Sequence, residues 1–346
     1  MLSLDPERLA RAVLPVSTGW LLADCMEARG KQDLWTRQKP EVLRSLREQA
    51  VVQSAESSNR IEGVTVLPDR LRPLLLGKAR PRDRSEEEVL GYRNALRWIF
   101  TRKTPPPVGP DTIRHLHALC QGGQSGDAGR WKERDNEIQE VLPDGSRSVR
   151  FRATTAKETP AAMKRLCGNL SRIEEEGRFP ALLADLAFVF DLSCVHPFRD
   201  GNGRVCRLAT VLLLQRHGFE VGRYVSLERL VEESKEGYYE ALRSSSEGWH
   251  AGRNDLLPWW NFSLTILRRA YEEFRRHVER AESSGKTELV LAEVERQVGR
   301  FALADLSSRL PSVSRQMVKK VLAGLKAQGR LRLQGRGRGA RWERIP

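Results

Sequence analysis

The sequence predicts a mostly α-helical protein with one β-hairpin and a small C-terminal domain. Along much of the 346-residue chain, apolar residues recur at intervals of three and four, the spacing of one helix face. Residues 137–152 instead alternate on both sides of an Asp-Gly turn, which predicts a hairpin. Near Gly285 the pattern is interrupted, and a strongly basic segment follows, which predicts a domain boundary there.

Composition narrows the class of protein. Hydrophobic residues make up 40% of the chain, enough for ordinary folded cores. The five cysteines are odd in number and form no Cys-x-x-Cys pair, which favours a reduced environment. The first residues lack a signal-peptide pattern, and no apolar run approaches the ~20 residues of a membrane helix. We therefore expect a soluble cytoplasmic protein without a membrane partner.

The positive charge is concentrated at one end of the chain. The formal net charge is +14, and residues 309–346 hold eleven Lys/Arg against one Asp/Glu, which gives 11 − 1 = +10. A uniformly basic surface would spread this charge evenly. The asymmetry predicts that the C-terminal segment binds a polyanion.

The functional prediction depends on the stretch from His196 to Arg207. It joins two apolar helical segments, residues 181–195 and a second that runs to near Gly218, through a short polar loop. Gly201 and Gly203 allow a tight turn and the close approach of a ligand. The second helix begins beside them, so its free N–H groups predict an anion site.

Charged side chains complete this predicted site. Arg204 and Arg207 place two positive charges three residues apart on the second helix. Asp200 offers one hard oxygen ligand, which suits Mg²⁺ held mainly by phosphates and water. His196 can act as a general base near neutral pH. These parts suit group transfer from a nucleoside triphosphate.

The stretch resembles the signature of the Fic family, His-Pro-Phe-x-(Asp/Glu)-Gly-Asn-Gly-Arg-x-x-Arg, at all nine fixed positions. The alternative is a helix corner with a buried, hydrogen-bonded histidine, which nine matching positions disfavour. The resemblance implies the Fic fold, a helical core with a β-hairpin flap. It also implies a protein adenylyltransferase, which transfers AMP from ATP to a Ser, Thr or Tyr hydroxyl of a target protein.

The resemblance also assigns the residues of the site. It makes His196 the catalytic base and Asp200 the Mg²⁺ ligand, and it assigns the ATP phosphates to Gly201, Asn202, Gly203, Arg204 and Arg207. Tyr239 resembles the residue that lines the adenine pocket, although a core tyrosine is the alternative reading for Tyr238 and Tyr239. Ser246 departs from the family, in which an asparagine is frequent at this position.

A second motif precedes the first by more than a hundred residues. Ser58, Glu62 and Gly63 fit the pattern Ser/Thr-x-x-x-Glu-Gly/Asn and resemble the inhibitory helix of Fic proteins, here around residues 50–63. The resemblance implies that Glu62 pairs with Arg207 and blocks the position of the ATP γ-phosphate. The alternative is a surface glutamate before a glycine helix stop.

The hairpin at 137–152 corresponds to the Fic flap. In that family the flap aligns a segment of the target protein by strand addition, which makes a protein substrate the expected partner. A solvated surface hairpin is the alternative. Just before it, Gly129-Arg130-Trp131-Lys132 resembles the Gly-x-aromatic-Arg turn that precedes the family's flap, with lysine in place of arginine.

The last 60 residues resemble a winged helix-turn-helix. Three helical segments (287–298, 302–310 and 313–328) precede a short basic hairpin, and the third follows Ser312 and Ser314 as caps. This arrangement predicts DNA binding through residues 312–345. A protein-interaction module is the alternative. The predicted domains are an N-terminal helical region (1–104), the catalytic core (105–282) and the winged domain (286–346).

Two alternatives to adenylyl transfer remain open at this stage. One is a DNA-binding regulator in which the Fic core is a sensor, and the other is a Fic transferase that moves a different phosphate-containing group. A homo-oligomer is compatible with either.

Two local expectations concern the helices before the flap: Ser85 caps a helix in a capping box with Glu88, and His115 and His117 lie on a helix surface.

Overall fold

The computed structural model describes residues 2–36, 40–102, 104–121, 127–141, 147–283, 286–311, 313–335 and 337–345. Within these ranges the chain is mostly helical, as predicted, with two antiparallel two-stranded sheets. The predicted hairpin turn at 143–146, the boundary at Gly285 and the cap Ser312 lie outside the described residues. None of the described helices combines the length and the apolar character that crossing a membrane requires.

The N-terminal region folds into helices that run up to the predicted core. They are α1 (Pro6–Leu9), α2 (Val16–Thr36), α3 (Pro40–Ile61), α4 (Pro68–Leu75) and α5 (Arg84–Phe100). Helix α3 therefore covers most of the predicted inhibitory segment, and Glu62 and Gly63 follow directly after its last residue. Because α3 packs against α5 and also contacts the helix that follows the motif loop, its C-terminal end lies close to that loop.

The predicted catalytic region contains the flap and the two helices that flank the motif. Its elements are α6 (Pro110–Gln121), β1 (Glu137–Val141), β2 (Arg147–Arg152), α7 (Thr159–Glu176), α8 (Ala181–Val195), α9 (Asn202–Arg216), α10 (Leu227–Glu233), α11 (Lys235–Ser246) and α12 (Leu257–Ser283), with short 3₁₀ turns at Val221–Arg223 and Trp249–Ala251. Helix α8 is buried along most of its length because nearly all of its residues are apolar. It packs against α7, α9 and α12 and so forms the centre of the molecule.

One hydrophobic core extends from Leu2 to Val278, so the N-terminal helices and the motif helices share it. The strands β1 and β2 pair from Glu137 opposite Arg152, with a register shift between Ile138 and Gln139. Phe151 anchors this hairpin because its ring is buried and stacks on His250 at 5.2 Å. The predicted β-hairpin is thus confirmed as an element that stands on the helical core.

The beginning of α5 differs from the expectation. The prediction that Ser85 is the N-cap is wrong, because the Asp83 carboxylate accepts a hydrogen bond from the Glu86 N–H and starts the helix at Arg84. Glu88 therefore does not close a capping box. Its side chain is buried instead and forms an ion pair with Arg204, 2.7 Å away.

The C-terminal residues form a second, smaller core. It contains α13 (Lys286–Glu295), α14 (Leu303–Arg309), α15 (Arg315–Ala327), β3 (Leu331–Gln334) and β4 (Arg341–Arg344), with a 3₁₀ turn at Gly337–Gly339. Strands β3 and β4 form a hairpin, and Phe301 adds one further bridge to Trp342. The Ser314 hydroxyl caps α15 by accepting from the Met317 N–H.

Candidate active site

The motif loop between α8 and α9 is shaped by two left-handed residues. Helix α8 ends just before His196, whose φ is 50°. His196 is the one non-glycine residue with positive φ in the described part of the chain. Helix α9 begins after Gly201, whose φ is 76°. A positive φ at a residue with a side chain costs energy and is retained where the surrounding structure requires it.

The ring of His196 presents one nitrogen to the site. Its Nδ1 lies 3.2 Å from the carbonyl oxygen of Ser193. A carbonyl can only accept, so Nδ1 carries the proton and Nε2 keeps a lone pair. Burial lowers the pKa of His196 to about 4, and the ring is therefore neutral at pH 7. A neutral imidazole with a free Nε2 is competent as a general base.

Asn202 and Phe198 close the loop on itself. The Asn202 side-chain oxygen accepts from the Phe198 N–H at 2.9 Å, and its amide nitrogen donates to the Phe198 carbonyl at 2.8 Å. The Phe198 ring is fully buried and anchors the loop in the core. Since the Asn202 side chain is committed to the loop, the contribution of this residue to anion binding falls to its backbone N–H.

Glu62 and Arg207 form the ion pair that the sequence predicts. The Arg207 Nη2 lies 2.7 Å from Glu62 Oε1 and also donates to the Ser58 carbonyl at 2.9 Å. The Arg207 Nε donates to the Ser58 hydroxyl at 2.8 Å. Ser58 and Glu62 together thus engage Nε and Nη2 of one guanidinium, which is only 6% exposed.

The Glu62 carboxylate also lies against the first turn of α9. A Cβ placed on Gly203 would come within 2.2 Å of Glu62 Oε1 and 3.3 Å of Arg207 Nη1. The carboxylate therefore occupies the helix N-terminus at which the sequence predicts phosphate. Gly63 fixes its position, because this residue (φ 80°) ends α3 with paired bonds from Gly63 N to Arg60 O and from Val64 N to Asn59 O.

Asp200 and Arg204 belong to a closed ring of alternating charges. Arg204 pairs with Glu88 at 2.7 Å, Glu88 with Arg84 at 2.7 Å, and Arg84 with Asp200 at 2.8 Å. Asp200 in turn lies 3.8 Å from Arg204. The Arg204 side chain is fully buried here, whereas Asp200 and Arg84 are exposed. The expected phosphate contact of Arg204 stays a prediction, and in this structure its guanidinium supports Asp200 and Glu88.

The donor set of Asp200 fits a magnesium ion that arrives with a nucleotide. One oxygen of this carboxylate accepts from the Gly201 N–H at 2.7 Å, and the other is shared with the exposed Arg84. A single half-exposed carboxylate cannot enclose Mg²⁺, but it can complete a shell made mostly of phosphate and water oxygens. Asp200 would therefore hold the ion from the loop side of the site.

A different group of potential ligands lies at the other end of α9. Glu174, Asp185 and His217 are close to one another. The His217 Nδ1 lies 2.6 Å from Asp185, and its Nε2 lies 3.6 Å from Glu174. Since the carboxylates approach opposite sides of the ring, the arrangement suits a protonated histidine held between two anions. It is separated from the motif loop by the length of a 15-residue helix, roughly 22 Å.

The two tyrosines of α11 have different environments. Tyr238 is buried and packs against Trp259 and Phe262. Tyr239 is 38% exposed, and its pKa is raised by partial burial and by the charge of Glu62. Tyr238 is therefore a core residue. Tyr239 is the tyrosine whose side chain remains accessible at the rim of the site.

Several residues other than the fixed positions of the two motifs surround this site, and sequence reasoning missed their roles. His117 is buried, not on a helix surface as expected, and it contacts the Asp200 backbone. Asn59 lies 3.3 Å from Arg204, and Arg84 and Glu88 complete the charge ring. Lys132 donates from its backbone N–H to the Pro197 carbonyl. Among these residues, only Lys132 stood out in the sequence, because it replaces the arginine that is usual in the turn before the flap.

Comparison with known proteins agrees with this geometry. The model of the Fic/DOC family matches residues 107–214. A curated relative, "Protein adenylyltransferase Fic" of Nematostella vectensis, is 25% identical over 234 residues. This match covers 65% of the present chain and 49% of the relative, so the chain spans about half of that protein's length.

Solved structures of Fic proteins share the fold. A Fic family protein from Desulfovibrio desulfuricans superimposes with a TM-score of 0.62 at 20% identity, over 96% of this chain and 97% of that one. A Fic-domain signaling protein from Bacteroides thetaiotaomicron gives 0.62 at 21%, over 74% and 98%. Fic-1 from C. elegans gives 0.58 at 21%, over 76% and 73%. The chain therefore has the mostly helical Fic fold, and residues 107–214 within it match the model of the Fic/DOC family.

Proposed function

We propose that this chain is a protein adenylyltransferase that Glu62 holds in an inhibited state. The observation that carries the proposal is the position of the Glu62 carboxylate, which pairs with Arg207 and lies against Gly203 at the start of α9. A carboxylate occupies this place only because the place suits an anion. The name of the curated relative, a protein adenylyltransferase, supports the same chemistry.

The proposed reaction uses the groups of the loop in sequence. A Ser, Thr or Tyr hydroxyl of the target gives its proton to His196 Nε2, and its oxygen bonds to the α-phosphorus of ATP. The bond from that phosphorus to the bridging oxygen breaks, and pyrophosphate leaves. Such proton transfer typically contributes about 10²–10⁴ in rate.

In the proposed reaction, backbone N–H groups and the side chain of Arg207 bind the phosphates. The N–H groups around Gly201, Asn202 and Gly203 stabilise charge that develops on the phosphates. Arg207 holds the terminal phosphate once Glu62 has left. When bound, Mg²⁺ neutralises charge on the leaving pyrophosphate, and Asp200 is the residue that would hold it. Arg204 keeps Asp200 in place through the charge ring.

The target segment is proposed to add to the flap. Among the described residues, strands β1 and β2 form a sheet of two strands, so each has one edge to which no other described strand is paired. Backbone pairing with such an edge holds a peptide in register without reading its sequence closely. The positive charge of Arg150 on β2 acts on both His196 and Tyr239, which indicates that this strand borders the site.

Intact mass measured after incubation with ATP and Mg²⁺ tests this function. Wild type, Glu62→Gly and Glu62→Gly/His196→Ala are compared, each serving as its own substrate. We expect a mass increase of one AMP in the Glu62→Gly protein and little in the other two. Removal of the carboxylate frees Arg207, and removal of the imidazole abolishes the base.

The other outcomes separate the alternatives. Equal modification of wild type and Glu62→Gly would contradict inhibition by Glu62. A mass increase of a different size would retain the fold and change the transferred group. Absence of modification in every variant, with ATP bound by Glu62→Gly, would point to a strict requirement for a separate target protein.

A second candidate function, DNA binding, rests on the C-terminal domain. Helix α15 exposes Arg315, Lys319, Lys320 and Lys326, and within the described part of the chain none of the four forms an ion pair. Three helices followed by a basic hairpin support the interpretation as a winged helix, whose last helix enters the major groove of DNA. Unpaired cations on one face are the expected footprint of phosphate binding.

Binding of mixed-sequence duplex DNA by the full chain, titrated with salt, tests this candidate. Each phosphate contact steepens the dependence of log K on log salt by about 0.9. We expect Lys319→Gln/Lys320→Gln to lower the slope by about 2. Lys164→Gln/Arg165→Gln, the same charge change on the exposed face of α7, is the control. Equal slopes for the two double variants would exclude α15 as the DNA surface.

A further inference from the structure

His117 lies on α6, outside both motifs, and is nevertheless built into the motif loop. Its side chain is 1% exposed, and its ring stacks on Phe198 with centroids 3.8 Å apart and planes within 6°. The Gly129 N–H donates to Nδ1 at 2.9 Å, and Nε2 lies 3.1 Å from the Asp200 carbonyl oxygen. The imidazole therefore joins the turn before the flap to the loop that leads into α9.

These contacts fix the protonation state of the ring. The Gly129 N–H donates to Nδ1, so this nitrogen carries no proton and the imidazole is neutral with a single ring proton. Because a backbone N–H occupies Nδ1 as an acceptor, that proton is on Nε2. The ring thus accepts from Gly129 and donates to Asp200, two bonds that no other neutral arrangement of the ring satisfies.

The bond to Asp200 controls the direction of the next peptide N–H. In a planar trans peptide, the carbonyl of one residue and the N–H of the next point in opposite directions. A carbonyl of Asp200 that is held toward α6 therefore directs the Gly201 N–H away from α6, where it meets the Asp200 carboxylate at 2.7 Å. Asn202, the first residue of α9, follows directly.

Helix α6 shapes the loop by contact as well. A Cβ on Gly201 would lie 2.7 Å from the Gln121 amide nitrogen, so the backbone at 201 packs directly on α6. Two other carbonyls of the loop are held by the segment before the flap, since Asn136 donates to Phe198 O and Lys132 to Pro197 O. Groups outside the loop thus fix three of its carbonyls, and with them the planes of the peptides that follow.

We propose that His117 is a positioning residue for the anion-binding loop: its Nε2–H holds the Asp200 carbonyl and so presets the N–H groups that receive phosphate. The proposal rests on the nucleotide site proposed above. It predicts that the donor at the Nε2 position matters for ligand affinity, beyond what the ring contributes to packing.

Two conservative variants divide the functions of the ring. In His117→Gln the side-chain amide reaches the Nε2 position and can still donate to Asp200, whereas in His117→Asn it reaches only the Nδ1 position. His117→Phe keeps the stacking on Phe198 and removes both bonds. His115→Gln, two residues earlier on α6 with its exposed ring on Trp98, is the control. All four are made in the Glu62→Gly protein, whose site is open.

Two quantities are measured for each variant and compared with the parent. They are the rate of amide hydrogen exchange over residues 196–205 without ligand and the Kd for ATP in the presence of Mg²⁺. We expect His117→Asn and His117→Phe to exchange faster in this segment and to bind ATP roughly fivefold more weakly, the effect of one lost hydrogen bond. His117→Gln and His115→Gln should match the parent. If the Asn variant does not fold, the Phe and Gln variants supply the same comparison.

Equal exchange rates and equal Kd values among the variants at position 117 would overturn the proposal. If Gln, Asn and Phe at 117 have the same exchange rate and the same Kd, the ring is only a packing element. A parent that binds no ATP would instead refute the proposed nucleotide site, while the exchange rates, which need no ligand, would still decide the role of His117.

Discussion

Two carboxylates border the proposed phosphate site, and an arginine neutralises each of them. Glu62 is paired with Arg207 and Asp200 with Arg84. An incoming nucleotide carries negative charge, so it must displace Glu62 from Arg207, whereas its metal neutralises Asp200. The two carboxylates have the same chemistry, but in the proposed function one blocks the site and the other completes it.

The resting state is held by more than one contact. Ser58 and Glu62 engage Arg207, and Arg60, two residues before Glu62, forms a bidentate pair with Glu232. Because the bond from Arg207 to Glu62 joins two charged groups, the loss of Glu62 should matter more than the loss of the Ser58 hydroxyl, whose bond to Arg207 has one charged partner.

A prediction at the residue scale concerns pH and His217. Its hydrogen bond to the Asp185 carboxylate raises the pKa of His217 in the folded protein. A raised pKa means that the protonated ring stabilises the folded state fully below the unfolded pKa of about 6.5. This stabilisation is lost as pH rises through the folded pKa. We expect His217→Gln to remove it.

Urea unfolding of both proteins between pH 6.5 and 9 measures the effect. The range begins above the pKa of about 6 to which burial raises Asp185, so that carboxyl is mostly ionised at the start and becomes fully ionised as pH rises. The stability advantage of the wild type should shrink as pH rises. Parallel curves for the two proteins across this range would contradict the prediction.

At the scale of elements, α3 is held from both sides along the half that carries Glu62. The buried Glu228 of α10 accepts from Ser54 at 2.6 Å and from Tyr92 of α5 at 2.8 Å. Asn59 contacts Arg204 on α9. The helix is therefore a fixed part of the core, and the proposed inhibition depends on its last turn.

Gly63 is the position at which that last turn can be tested. Its φ of 80° is unfavourable for any residue with a Cβ, so Gly63→Ala should cost about 1–2 kcal/mol of stability. The strain should move Glu62 away from Arg207 and raise transfer above the wild-type rate.

The control is Gly30→Ala in α2, where a Cβ meets nothing within 4 Å and alanine favours the helix by up to about 1 kcal/mol. Denaturation midpoints and AMP incorporation are measured on both variants. Transfer at the wild-type rate in a destabilised Gly63→Ala protein would show that the helix end does not control inhibition.

At the scale of the whole molecule, the C-terminal domain is joined to α3 by a buried carboxylate. Glu293 on α13 is fully buried, accepts from Ser45 on α3 and pairs with Arg309 at 2.9 Å. Nearby, Arg300 lies 3.7 Å from Asp69 on α4. The helix that carries Glu62 is thus in direct contact with the domain that carries the basic face.

Removing this charge should loosen the joint. We expect Glu293→Gln to lower the free energy of unfolding by about 3 kcal/mol, because Arg309 and Arg296 lose a buried partner. Glu295→Gln on the same helix, with an exposed partner at 3.5 Å, should change it by less than about 1 kcal/mol. Similar losses in the two variants by chemical denaturation would contradict the assignment.

The sequence by itself determined the elements and the two motifs. Helical spacing located α8 and α9, alternation located the flap, and the residues from His196 to Arg207 defined the loop. Local periodicity and turn chemistry carry this information because they act between neighbouring residues. The pairing of Glu62 with Arg207, by contrast, was implied by the resemblance of the two motifs to those of the Fic family.

Only the tertiary structure decided which polar residues are buried and what they contact. His117 reaches Asp200 across 83 positions, and Glu88 reaches Arg204 across 116. On its own helix each resembles a surface residue, and nothing in its neighbourhood distinguishes it from His115 or Glu87. Burial of a polar side chain is stable only when a distant partner satisfies it, so its role becomes legible only once the helices are packed.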